Sequence, residues 1–85
     1  YFFCHAGVKP GIALAAQNVR DLLWARREFI PHTSPYEKMI VHGHTISEDV
    51  DWRPNRIGID TGAYATGCLT ALALEEDRRW TLQTV

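Results

Sequence analysis

Two short apolar runs constrain this chain most. Tyr1-Phe2-Phe3-Cys4 stops at His5, and Met39-Ile40-Val41 stops at His42-Gly43-His44. Apolar runs of this length, bounded by turn residues, read as buried strands. Glycine lies close to each stop, as Gly7 and Gly43. Three of the four histidines therefore sit where a strand gives way to a loop. In α/β proteins, loops at strand ends on a rigid sheet are where chemistry collects.

The rest of the chain fits around those strands. His5 to Gly11 is a loop punctuated by Pro10 and Gly11, and Ile12 to Gln17 has room for a single helical turn. Leu22, Leu23, Arg26 and Phe29 fall near helical spacing, which predicts a helix over Val19 to Phe29, capped by Asn18 or Asp21 and stopped by Pro31. His32 to Lys38 is a loop in which His32 is solvated. Thr45 to Asn55 is polar, acidic and interrupted by Pro54, so it too is a loop. Arg56 to Asp60 is a strand, and Thr61 to Gly67 a glycine-punctuated turn. Cys68 to Leu74 is a strand, Glu75 to Arg79 a charged hairpin turn, and Trp80 to Val85 a last strand. The pattern predicts a mostly-strand α/β fold with one main helix, ending in a three-strand meander.

Composition narrows the function classes. The chain has 85 residues, so it is one small domain or part of a larger one. With 46% apolar and 22% charged residues it is not a disordered composition. A net charge of −1 supplies no bulk attraction to nucleic acid or anionic membrane. No apolar run approaches the roughly 20 residues a membrane helix needs, and no basic-then-apolar leader is present. Two cysteines, Cys4 and Cys68, form no disulfide framework and suit a reduced, cytoplasmic setting. A chain that opens on Tyr1 inside a strand reads as a fragment or a processed chain. An upstream segment or a partner is expected to cover Tyr1 to Cys4 and Met39 to Val41, because bare strand edges invite pairing.

The histidines admit two readings. Residues two apart on an extended segment share a face, so His42 and His44 can point the same way. Imidazole is the commonest neutral metal ligand, and glycine permits close backbone approach. Hydrolytic dinuclear sites also need carboxylates. Asp60, at a third strand end, is a candidate, although an Asx turn that organises its own loop explains it more simply. The other reading has each histidine capping its loop through backbone hydrogen bonds. Trp24 and Leu23 read as core residues. Arg26, taken alone, reads as a surface residue, as does Arg27.

Four segments in this order carry a resemblance: FFCHAGVKPG, DLLWARREF, MIVHGHT and IGIDTGAYATGCLTALALE. Together they resemble the C-terminal half of the bacterial serine/threonine phosphoprotein phosphatases, within the calcineurin-like metallophosphoesterase superfamily. The resemblance spans nearly the whole chain and implies a partial domain over residues 1–85, the C-terminal part of a β-sandwich flanked by helices. It implies hydrolysis of phosphate monoesters by metal-activated water, on phosphoserine or phosphothreonine proteins or small phosphoesters. A dinucleoside polyphosphate hydrolase of the same superfamily, or a non-catalytic binding module, would share some of the segments.

The resemblance also assigns residues. His5 matches the H-[AG]-G histidine and His44 the G-H-[TQ] histidine, two ligands of one metal in a centre of two divalent ions, Mn²⁺ foremost, with Fe or Zn as alternatives. Arg26 matches the arginine that grips the substrate phosphate, a role that suits a planar guanidinium. Tyr64 matches the aromatic residue of the loop near the catalytic centre. His42 departs from the pattern and is taken as a support to the ligands or a structural residue, not as a ligand. The family's G-D-x-H-G, G-D-x-x-D-R-G and G-N-H-E segments have no counterpart here. With them go the carboxylates, an asparagine ligand and the general acid. The 85 residues alone are therefore expected to be inactive, an upstream segment or partner chain completing the site.

Overall fold

Three two- or three-residue strands lie parallel and set the frame. In the computed structural model, which describes residues 1–84, β1 (Phe2–Phe3) pairs with β2 (Ile40–His42), and β2 pairs with β4 (Arg56–Gly58). The short β3 (Asp51–Trp52) adds to β4 antiparallel, giving a mixed sheet in the order β1-β2-β4-β3. A separate two-stranded ribbon follows, β5 (Thr70–Glu75) and β6 (Arg78–Gln83). The helical parts are one 3₁₀ turn (Leu14–Ala16), α1 (Val19–Trp24) and the single turn α2 (Ala63–Thr66). The chain is thus an α/β domain with a mixed sheet and few helices.

Two expectations change here. Strand β4 joins the parallel sheet and does not enter a meander with β5 and β6. Met39 to Val41 is no bare edge, because β2 is flanked on both sides and Ile40 and Val41 are buried. In the ribbon the turn shrinks to Glu76 and Asp77, with Glu76 in the left-handed region (φ 55°), and Glu75 and Arg78 become a cross-strand pair and a salt bridge.

Helix α1 starts as its sequence requires. The Asn18 carboxamide oxygen accepts from the Asp21 N–H at 2.8 Å, satisfying one of the free donors of the first turn. It ends five residues earlier than its spacing predicts. Ala25 turns extended, and the chain resumes one helical turn from the Arg26 carbonyl to the Ile30 N–H. The break lets Phe29 enter the core, where it is fully buried with Val8, Leu14 and Ile40, while Trp24 and Leu23 remain exposed. Packing overrides the helical periodicity because a buried phenyl ring is worth more than a turn of propensity.

Beneath the sheet lies a polar network built on Arg56. Its side chain is 2% exposed. It donates to Asp51 at 2.8 Å, to His42 Nε2 at 3.0 Å and to the Ile30 carbonyl at 3.2 Å, with its guanidinium over the Phe29 ring. Asn55, also buried, donates to the carbonyls of His32 and Ser34. The β3–β4 hairpin is thereby locked to the segment after α1. His32, expected in solvent, instead packs its ring against Tyr36. Partial burial pushes the Asp51 carboxyl up, but hydrogen bonds from Arg53 and Arg56 outweigh that and hold it below its ordinary value of 3.8.

A methyl group added to Gly7 would lie 2.3 Å from a ring carbon of Phe29, which is fully buried and cannot swing away. Gly7→Ala should cost about 1–3 kcal/mol, the usual range for overpacking, read as a lower urea midpoint at unchanged m-value. The Asp51 pair contributes stability above the unfolded carboxyl pKa and loses it as pH falls through the depressed folded value. The denaturant midpoint should therefore drop below about pH 3.8. Asp51→Asn should flatten that drop and cost about 1–3 kcal/mol at pH 7, because Arg56 stays buried without its anion.

Candidate functional site

Parallel strands bring their C-terminal ends to one edge of the sheet. His5 follows β1, Gly43 and His44 follow β2, and Asp60 lies two residues beyond β4. The loops interlock through the backbone: Gly43 N–H donates to the His5 carbonyl at 2.8 Å, and Ser47 N–H to the Asp60 carbonyl at 3.0 Å. The side chains of His5, His44 and Asp60 line one open concavity of about 370 Å³, with Phe3, Ile59 and Leu69 as its apolar wall.

Within it the two imidazoles meet. His5 Nε2 lies 3.2 Å from His44 Nδ1, and the ring centroids are 5.0 Å apart. Two ring nitrogens can be that close in two ways. One ring donates a proton to the other, or both lone pairs face a cation between them. Bonds of about 2.0–2.1 Å meeting at roughly 90–110° set donor nitrogens about 2.9–3.4 Å apart. The observed separation falls inside that window, so the pair fits two adjacent ligand positions. Among the described residues no group of three or more histidine, cysteine, aspartate or glutamate side chains is arranged to hold a metal ion.

The neighbours explain how the pair is held. His44 is in the left-handed region, at φ 64°. Histidine visits that region more readily than most residues, but still at a cost of about 1 kcal/mol or more. The turn it makes undoes strand alternation, so His42 and His44 do not point the same way. His42 is 2% exposed and turns inward, its ring perpendicular to Phe29. The Gly43 carbonyl can only accept and the Arg56 guanidinium can only donate. His42 therefore carries its proton on Nδ1 and accepts at Nε2. Burial lowers the His42 pKa, the Gly43 carbonyl partly offsets this, and the Arg56 charge lowers it further. His42 thus ties β2 to Arg56 and to the ring of Phe29.

Asp60 also follows its simpler reading. Its Oδ1 accepts from the Gly62 N–H at 3.0 Å in an Asx turn, while the carboxylate packs beside Gly43. Cys4 is pushed by burial up to about 11 and stays a protonated thiol at neutral pH. Arg26 is exposed and lines a different concavity, of about 280 Å³, with Lys9, Asp21 and Trp24. Tyr64 stands on α2 with 90% of its surface exposed and lines neither concavity. Trp24, expected in the core, is 66% exposed and packs perpendicular to the His44 ring at 5.5 Å. The sequence reading missed that contact, for which the only signal was a tryptophan at the end of a short helix.

Comparison of the chain with family models, curated proteins and solved structures finds no match. No helix among the described residues is long and apolar enough to cross a membrane.

The strain at His44 gives a third prediction. Glycine adopts its backbone conformation freely, so His44→Gly should raise stability by up to about 1 kcal/mol. The same change should abolish any cation binding that depends on the ring. Paired thermal unfolding and Zn²⁺ titration would read both effects.

Proposed function

We propose that this chain supplies part of the metal centre of a phosphoester hydrolase, with His5 Nε2 and His44 Nδ1 as two ligands of one divalent cation. Mn²⁺ is the first candidate. The substrates on this reading are phosphate monoesters, phosphoserine and phosphothreonine side chains foremost. The observation that carries it is the 3.2 Å convergence of the two ring nitrogens. The order of the four segments, which resemble the phosphoprotein phosphatases, supplies the reaction class. A bound divalent cation would acidify a water at neutral pH and offset charge on the phosphoryl oxygens.

The chain's own residues have separate tasks in this reading. His5 and His44 offer ring lone pairs, and the bond from Gly43 N–H to the His5 carbonyl keeps their loops at fixed separation. Asp60 braces the turn beside Gly43 through its Asx bond to the Gly62 N–H. Arg26 holds phosphate oxygens through its guanidinium fork. That role rests on the resemblance, since Arg26 lines the concavity beside Trp24 and not the one that holds His5 and His44. Tyr64 is assigned to substrate phosphate binding by the resemblance, and its exposure leaves the phenol free to meet a ligand. Two imidazoles without carboxylates hold a cation weakly and cannot hold a pair of them. The remaining ligands and the general acid come from an upstream segment or a partner chain.

Mn²⁺ titration of the 85-residue chain, followed by electron paramagnetic resonance, tests the assignment. One weak site per chain is expected, lost in both His5→Ala and His44→Ala. Binding that survives both substitutions would remove the pair from the centre. The same chain should show no turnover of p-nitrophenyl phosphate in excess Mn²⁺. Robust turnover would contradict the conclusion that it supplies only part of the site.

A further inference from the structure

We propose that Trp24 is a positioning residue for the histidine pair, holding the His44 imidazole so that Nδ1 faces His5. The inference rests on the reading of His5 and His44 as the functional pair.

Three observations carry it. First, His44 has little else to fix its ring. Among the described residues its ring hydrogen bond is to His5 and its aromatic neighbours are His5 and Trp24. Yet its backbone is in the left-handed region, a state that persists where the surroundings over-determine it. Second, Trp24 is unusually exposed for a tryptophan and lies outside the core cluster, so core packing does not account for its position. Its ring stands at 85° to the His44 ring with centroids 5.5 Å apart, within the range of favourable edge-to-face pairs. Third, α1 grips the other histidine loop as well. The Ala6 N–H, next to His5, donates to the Leu22 carbonyl at 2.8 Å. One short helix thus fastens the His5 loop by its backbone at Leu22 and the His44 ring by a side chain two residues later. The relative position of the two imidazoles is set from α1 as well as from the sheet.

The test compares Trp24→Ala and Trp24→Phe in the 85-residue chain. Ring resonances of ¹⁵N-labelled histidine in the metal-free protein report the His5–His44 contact. Zn²⁺ titration reports the pair as a donor set. Trp24→Ala should abolish the His5–His44 contact signature, shift the His44 ring signals, and weaken Zn²⁺ binding by about tenfold or more, as loss of a supporting residue does at metal sites. Trp24→Phe should restore most of both. His42 ring signals and the denaturation midpoint should change little in either variant, which separates positioning from general loss of structure. An unchanged His44 signature in Trp24→Ala, or an equal loss in Trp24→Phe, would overturn the proposal. If the unsubstituted chain binds no Zn²⁺, the cation reading fails. The metal-free ring signals then still decide whether Trp24 positions His44.

Discussion

Strand β2 is three residues long, and the rest of the molecule hangs on its two edges. Its pairing with β1 sets Phe3 opposite Val41, with the Cys4 N–H donating to the Val41 carbonyl, and brings the Gly43 N–H onto the His5 carbonyl. Its pairing with β4 brings the Ile59 N–H onto the His42 carbonyl and carries Asp60 alongside. Parallel pairing matters here for a geometric reason. It lines up like ends of the strands, so three loops separated by tens of residues emerge side by side. An antiparallel partner would have carried one of these loops to the opposite edge.

Such short strands cannot hold a sheet by ladder hydrogen bonds alone. The side chains beneath it complete the work. Phe29 packs on Gly7, Val8 and Ile40, tying the segment after α1 to the loop after β1 and to β2. Beside it, Arg56 joins β2, β3 and the Ile30 carbonyl through one guanidinium. A buried arginine is tolerated because it is matched by Asp51, a neutral imidazole, a carbonyl and an aromatic face. The two sets share Phe29, whose ring meets both Arg56 and His42. Apolar core and polar network are thus one packing unit. His42, one end of it, is separated from His44 by a single glycine.

Much of this was legible because it depends on local chemistry. The strand ends at His5 and His42, the Asn18 cap and the Asx turn at Asp60 all follow from residue type and near neighbours. What was not legible depends on distant partners. The helical spacing from Leu22 to Phe29 is real, but the helix breaks at Ala25 because Phe29 has a better place against Val8 and Ile40. Arg56 at the head of an apolar strand looks like a surface charge until Asp51 and His42 are placed around it. The meander failed for the same reason. Adjacency in sequence suggested that β4 would pair with β5, whereas β4 pairs with β2 and β3.

The histidine pair shows how a site can be stiff on a small frame. His5 sits on a conventional backbone whose position is fixed from both sides, by Gly43 and, through Ala6, by Leu22. His44 is in a backbone conformation that L-residues avoid, at the centre of a turn closed by the Thr45 N–H donating to the Gly43 carbonyl at 2.7 Å. Strain of that kind relaxes unless the side chain has a reason to stay. The structure supplies two, the facing nitrogen of His5 and the ring of Trp24. Both contacts are lost if the ring swings out, so each makes the other more secure. A ring pair held this way is ordered before any ligand arrives. On the proposed reading, binding then need not supply the free energy of ordering the two rings.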